Sequence, residues 1–325
     1  MRAAVATRYG PPEVVRVVDV PRPVPAADEL LVRVHATTVN RTDCGFRSAH
    51  PWFIRFFTGL TRPKRRILGN EFAGIVEAVG ARVDRFAVGD RVFGYDDTRF
   101  GAHAEYLTIG QDATVSTMPD GRDFEVMAPA TEGSHYCLAY LRIAGVGEGD
   151  EVLVYGATGA IGSAAVQIAR SLGARVTAVC DSEHVDLVSG LGAGRVIDRT
   201  TIDFTADGRR YDVILDAVGK CSYRQCRHLL KPQGIWTSTD LGPFSQNPAL
   251  VLMTRWSRGR RVLFPIPTVD REMVEYLKGL VESDQFTPVI DRTYDLSDIV
   301  EAYRYVETQR KIGNVVITVA RQGHG

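Results

Sequence analysis

The spacing of apolar positions changes along the chain. Up to about residue 120 they come in short runs broken by Pro and Gly. From Glu29 to Thr38, Leu31, Arg33 and His35 alternate with Val32, Val34 and Ala36, the two-residue period of a half-buried strand. Glu71 to Val79 reads as a second strand, Gly89-Asp90-Arg91-Val92-Phe93 as a turn leading into a third, and Glu105 to Ile109 as a fourth. Short strands between turn signals predict a compact β-rich or α+β module.

Past Asp150 the pattern becomes strand, Gly-rich turn, helix, strand. Glu151 to Tyr155 is a nearly continuous apolar run, as in a parallel strand covered on both faces. Ile161, Ala164, Ala165, Ile168 and Leu172 fall on one helical face, and Gly173 ends that helix. Strands are expected at Arg175–Cys180, Arg195–Ile197, Asp212–Leu215 and Gly234–Thr237, with a helix over Glu183–Leu191 between the first two. This alternation predicts a doubly wound parallel sheet, and hence an α/β fold. The tail reads as a helix over Val269–Val281, an extended stretch over Pro288–Leu296, a helix over Ser297–Thr308 capped by Ser297, and a strand over Asn314–Val319.

Composition narrows the function classes. The 325 residues carry 39 basic and 39 acidic side chains, with 45% hydrophobic and 24% charged residues, which excludes disorder and collagen-like repeats. Zero formal net charge argues against nucleic acid as a partner. No apolar run reaches the roughly 18 residues of a membrane span. Met1-Arg2-Ala3-Ala4-Val5 turns polar too soon for a signal peptide. The five cysteines are scattered, and only Cys221 and Cys226 lie close together. Reduced thiols in a cytoplasmic protein are the expectation, each a small buried hydrophobe.

The most informative segment is Tyr155-Gly156-Ala157-Thr158-Gly159-Ala160-Ile161-Gly162, which follows a strand and opens a helix. From Ala157 it is A-x-G-x-x-G, a variant of the dinucleotide fingerprint. Gly159 lets backbone approach a pyrophosphate, and Gly162 lets the helix pack on the sheet. The helix N-terminus offers free N–H groups and a positive dipole end to the phosphates. NAD(P)H is therefore the expected cofactor. Asp181 stands where a ribose-reading carboxylate is expected, and no Arg or Lys follows before Arg195, which favours NADH over NADPH. Ala217, Val218 and Gly219 after one strand, and Leu241 after another, are expected to border the nicotinamide end.

With these motifs the chain resembles the medium-chain dehydrogenase/reductase superfamily, most closely its zinc-independent, quinone-oxidoreductase-like branch. Besides the glycine turn, the resemblance rests on Val39-Asn40-Arg41-Thr42-Asp43, Leu68-Gly69-Asn70-Glu71-Phe72-Ala73-Gly74, Gly89-Asp90-Arg91-Val92, Gly101-Ala102-His103-Ala104-Glu105-Tyr106, Leu191-Gly192-Ala193, Asp216-Ala217-Val218-Gly219 and Lys311-Ile312-Gly313-Asn314-Val315-Val316. It implies a GroES-like β-rich catalytic domain over 1–120, completed by 265–325, and a Rossmann NAD(P)-binding domain over 121–264. Zinc-dependent members place Cys and His where this chain has Asn40 and Asn70, and their structural zinc lobe needs four cysteines that are missing here. No metal is therefore expected. Without a Lewis acid, hydride transfer to an already activated acceptor is the expected reaction, with a quinone, an enone or a similar carbonyl as the small-molecule partner.

Asn40 is the first catalytic candidate, as a donor facing the nicotinamide, or else a structural side-chain-to-backbone bond. His135 and Tyr136 stand where relatives carry a small Thr-Ala pair, and are read as possible proton donors or as helix-packing residues. Lys311 and Asn314 match a segment that approaches the cofactor in the family. A metal-free alcohol dehydrogenase and a non-enzymatic nucleotide-binding protein are the alternatives, and a homodimer is a possible assembly. The aromatic segment His50 to Phe57, followed by Arg62, Lys64, Arg65 and Arg66, is left open between a lid, a membrane-surface contact and a subunit contact.

Overall fold

In the computed structural model the described residues are 1–242, 245–265, 267 and 269–319, the side chain of Phe57 excepted. They form two compact units, one of Met1–Glu132, Val269–Glu282 and Ile290 onward, the other of Gly133–Thr268 and Ser283–Val289.

The first unit is built on Glu29–Val39, a strand of 11 residues. It pairs antiparallel with Glu71–Val79, with Tyr106–Gly110 and with the C-terminal strand Asn314–Thr318. The tail thus supplies a strand to the N-terminal sheet, with Val315 opposite Val39. Val32, Val34, Val76, Val92, Val115 and Val315 are fully buried, so the alternation seen in the sequence becomes one core.

The second unit holds a parallel six-stranded sheet. In spatial order its strands are Arg195–Asp198, Arg175–Cys180, Glu151–Tyr155, Tyr211–Asp216, Leu230–Ser238 and Arg261–Leu263. The central strand Glu151–Tyr155 leads into the helix Ala160–Ser171, whose Ala164, Ala165, Val166, Ile168 and Ala169 are buried. Reversal of strand order around Glu151–Tyr155 is the switch point of a doubly wound sheet, where ligands bind at the carboxyl ends of strands.

Four expectations need correction. Residues 121–132, assigned by sequence to the dinucleotide domain, belong to the β-rich unit. There the Phe124 ring stacks on His35 at 4.2 Å, and Met127, Ala128 and Ala130 are fully buried. Within 265–325, residues 283–289 belong to the second unit, tied by Gln167, whose Nε2 donates to Thr287 O at 3.0 Å and whose Oε1 accepts from Thr287 N at 3.0 Å. Ser297 is no cap. The helix Ile299–Glu307 follows Asp298, and Asp295 accepts from both the backbone and the hydroxyl of Ser297. Finally, Cys221 and Cys226 form a disulfide, while Cys44, Cys137 and Cys180 are free and buried. The Asp216 carboxylate fixes the Cys221 backbone, and a Ser222–Gln225 capping box then starts the turn that carries Cys226. Cysteine usage therefore gives no argument for a reducing compartment.

Candidate active site

In the second unit, the turn after Glu151–Tyr155 is shaped by its glycines. Gly156 has φ +78°, and a Cβ there would meet Val218 at 2.6 Å. A Cβ on Gly162 would collide with the Gly156 carbonyl. Gly159 is different: a Cβ there would meet only the Gly156 oxygen, at 3.8 Å. Protein packing does not require Gly159, and the space beside it stays open. Gly159 also N-caps the helix without a side-chain bond, so the N–H groups of Ala160, Ile161 and Gly162 lack a capping side chain. Open space, free donors and a positive helix end together fit a diphosphate. Thr158, Ala160 and Ile161 are half-buried in this turn. Ala157 is fully buried, its N–H bonded to Val179 O at 3.2 Å, so its side chain supports the turn from below.

The next two loops are organised by Asp216, a residue the sequence reading included in a motif but gave no role of its own. Asp216 accepts from the backbone N–H groups of Gly219 at 2.9 Å and Cys221 at 3.0 Å, with Val218 and Lys220 slightly longer. Burial pushes the Asp216 carboxyl up and these amides pull it back. Gly219 has φ +71°, where a Cβ would strike Asp240 at 2.5 Å. Ala217 donates its N–H to Tyr155 O at 3.0 Å, and Leu241 O accepts from Asn247 N at 3.0 Å. Asp216, Gly219, Ser238 and Gly242 line one cleft of about 280 Å³.

Asp181 follows the strand Arg175–Cys180, as expected, but it is not alone. Arg199 Nε lies 2.7 Å from its Oδ1, and Arg199 Nη2 donates to Oδ2 at 2.9 Å. Parallel pairing sets Asp198 opposite Cys180 and so delivers Arg199 to Asp181. Arg195 is occupied by Asp207, at 2.7 Å. The helix Glu132–Ala144 carries His135, which is 2% exposed, and half-buried Tyr136, their ring centroids 4.2 Å apart.

The first unit holds a buried polar network. Asn40 caps the helix Arg41–Ser48: its Oδ1 accepts from Asp43 N at 3.0 Å, and Asp43 Oδ2 accepts from Asn40 N at 3.2 Å. With Oδ1 so engaged, Nδ2 donates to Asn70 Oδ1 at 2.7 Å. Asn70 Nδ2 donates to Glu132 Oε2 at 3.0 Å, and Thr42 Oγ1 donates to Glu132 Oε1 at 2.6 Å. Glu71 accepts from Glu132 N at 2.7 Å, from Thr131 Oγ1 at 2.9 Å and from Thr38 Oγ1. Each amide nitrogen carries a second proton that no other described residue accepts.

Burial raises the affinity of all three carboxyls for a proton: Asp43 strongly, Glu132 upward, and Glu71 up to about 7. Lys311, whose Nζ donates to Gly313 O, is pushed down to about 8 by burial, while the charges of Glu71 and Asp291 act the other way. Asn314 is 6% exposed at the start of its strand. His103 is a satisfied core residue. Its Nε2 donates to Thr38 O at 2.7 Å, Tyr303 Oη faces its Nδ1 at 3.3 Å, and burial lowers it to about 4.

The donor set around Asn40 does not fit zinc. Two neutral amides are spent on each other and on Glu132, and among the described residues no three His, Cys, Asp or Glu side chains converge on a common point.

Comparison with known proteins agrees with this architecture. Residues 26–120 match the alcohol dehydrogenase GroES-like domain and residues 191–317 the zinc-binding dehydrogenase family. A quinone oxidoreductase of Sus scrofa is 31% identical over 318 residues, covering 93% of each chain. One from Pseudomonas aeruginosa is 29% identical, covering 95% of this chain and 97% of its own. The structure of a quinone oxidoreductase from Coxiella burnetii superposes with a TM-score of 0.86 at 27% identity, covering 98% of this chain and 99% of that one. A GroES-like β-rich unit together with a dinucleotide-type parallel sheet defines an NAD(P)-dependent oxidoreductase. The chain belongs to the medium-chain dehydrogenase/reductase superfamily, in its quinone-oxidoreductase-like part.

Proposed function

We propose that the chain is a zinc-independent reductase that passes hydride from NAD(P)H to a quinone, an enone or a similarly activated carbonyl. The observation that carries the reading is the turn Gly156–Gly162, with open space at Gly159 before an uncapped helix. When bound there, the dihydronicotinamide supplies the hydride. Gly159 and the first-turn amides hold the diphosphate. Ala217, Val218, Gly219 and Leu241 border the nicotinamide end.

Asn40 is the donor to the oxygen on which charge develops. Its Oδ1 is fixed by the cap and its first Nδ2 proton by Asn70, so the second proton has one direction left. Glu132 and Thr42 hold Asn70, and through it Asn40, in that orientation. Lys311, with a charge, and Asn314, with a neutral amide, complete the polar side of the catalytic unit, and His135 with Tyr136 forms a wall of the second unit. The mutual bond of Asn40 and Asn70, where zinc-dependent relatives use Cys and His, supports a metal-free reaction.

Cofactor choice rests on both Asp181 and Arg199. The carboxylate favours a ribose diol, but the guanidinium on it offers a 2′-phosphate a cation. NADPH is therefore a substrate alongside NADH, and the preference for NADH drawn from Asp181 alone loses its ground. The test is a steady-state screen with both coenzymes against a naphthoquinone, an enone and simple alcohols. Turnover of quinone or enone is expected; turnover of alcohols alone would leave the metal-free alcohol dehydrogenase standing.

A further inference from the structure

One segment of the first unit is not used by this reaction. Between Asp43 and Glu71 the sequence contains no acidic residue. Within that stretch Arg55, Arg62, Lys64, Arg65 and Arg66 are all exposed, and none forms an ion pair among the described residues. Interleaved with them, Trp52 is 69% exposed, Phe56 62%, Leu60 64% and Phe53 40%. In a chain of zero net charge this is a sharp local excess of cation and apolar surface.

The segment is nevertheless fixed. Tyr9 Oη hydrogen-bonds to Thr58 Oγ1 and donates to Gly59 O, both at 2.7 Å. Lys64 N donates to Thr58 O at 2.8 Å. Gly59 takes φ +122°, where a Cβ would collide with the Arg62 carbonyl. The fold thus expends ordered hydrogen bonds on holding apolar side chains out in water.

We propose that Trp52–Arg66 is a membrane-contact surface that seats the catalytic unit on an anionic lipid bilayer. Trp, Phe and Leu beside Lys and Arg is the composition that enters a headgroup layer, the rings entering the acyl boundary while the cations meet phosphates. Protein interfaces also use Trp, Phe and Arg, but five exposed cations with no acidic residue between Asp43 and Glu71 favour a continuous anionic surface over a partner of mixed charge. Single-stranded nucleic acid also fits less well: Trp52 and Phe56 meet edge to face, 5.6 Å apart at 64°, rather than as two parallel stacking platforms.

The test is sedimentation of the full chain with sucrose-loaded vesicles of phosphatidylcholine, with and without added phosphatidylglycerol. Its readout is binding, so its failure is separate from any failure of the reductase reading. The chain is expected to pellet with the anionic vesicles and to be released by salt. Arg62→Gln/Lys64→Gln/Arg66→Gln should weaken partitioning about fivefold per cation removed. Trp52→Ala/Phe56→Ala should weaken it further, with an unchanged melting temperature because both rings are exposed. In a Trp256→Phe background, brominated lipid should quench Trp52. Equal pelleting with neutral vesicles, no pelleting with either, full pelleting of both variants, or capture of an oligouridylate probe in place of vesicles would each overturn the proposal.

Discussion

Arg199 closes on Asp181, with Nε 2.7 Å from Oδ1, and this pairing sets two opposite charges at the carboxyl end of the strand Arg175–Cys180. Asp181→Ser frees the guanidinium for a 2′-phosphate. The ratio of kcat/KM for NADPH to that for NADH should rise by about 10-fold or more, the scale of one hydrogen bond to a charged group. Arg199→Ala should move the ratio the other way. An unchanged ratio in both variants would remove this pair from cofactor reading.

Gly159 and Gly162 separate binding from folding. Gly159→Val places its side chain in open space, so the melting temperature should hold while calorimetric binding of either coenzyme disappears. Gly162→Ala drives a methyl into the Gly156 carbonyl and should cost about 1–3 kcal/mol of stability. Retained binding in the Gly159 variant would refute the phosphate-turn assignment.

Asn40→Ser keeps an N-cap but removes the amide donor. Stability should fall by about 1–3 kcal/mol, because Asn70 Oδ1 loses its buried donor, while kcat with a quinone or enone falls by about 100-fold or more, as for loss of an oxyanion donor. A variant that melts early yet turns over normally would make Asn40 purely a cap.

The buried carboxyls give the catalytic unit a pH signature. Burial raises Glu71 from 4.5 to about 7, so the folded state binds that proton more tightly than the unfolded chain. The resulting stability is complete below pH 4.5 and is lost as pH rises through about 7. Lys311 falls from 10.5 to about 8, so its contribution is present above 10.5 and lost as pH drops through 8. Asp198 and Asp207, both held at about 2, do not titrate in this window. His103, lowered by burial from 6.5 to about 4, gains stability over the same interval in which Glu71 loses it, so the melting temperature should stay nearly level between about pH 5 and about pH 7.5, and Glu71→Gln should make it rise with pH. Equal slopes in both proteins would contradict the assignment.

The glycine turn was legible in the sequence as a structure because its requirement is local: Gly156, Gly159 and Gly162 lie within seven positions of one strand–turn–helix unit. Most strands of the two larger sheets were legible for the same reason, but the three-residue edge strands Val115–Thr117 and Arg261–Leu263 were not, being too short to show a period. Arg199 was not, because the scan from Asp181 stopped at Arg195, whereas register pairing of Asp198 with Cys180 determines which cation arrives. Nor was the Asp216 cradle, since it binds backbone amides, which leave no trace in residue identity. Asn40 and Asn70 stood out individually as missing zinc ligands, but their bond to each other, and the roles of Glu71, Glu132 and Thr42, depend on strands brought together from residues far apart. Residues 121–132 were misassigned because a short helix covering a sheet looks the same in sequence as one leading into the next domain.

The pair of hydrogen bonds between Gln167 and Thr287 bears on how such a chain can be divided. Residues 283–289 return to the nucleotide-type unit, although the segments on both sides of them belong to the other. No single cut therefore yields one intact body. A truncation after residue 268 removes the strands Ile290–Asp295 and Asn314–Thr318 from the sheet of one unit and the clasp on helix Ala160–Ser171 from the other, so engineering must exchange these halves as interleaved pieces.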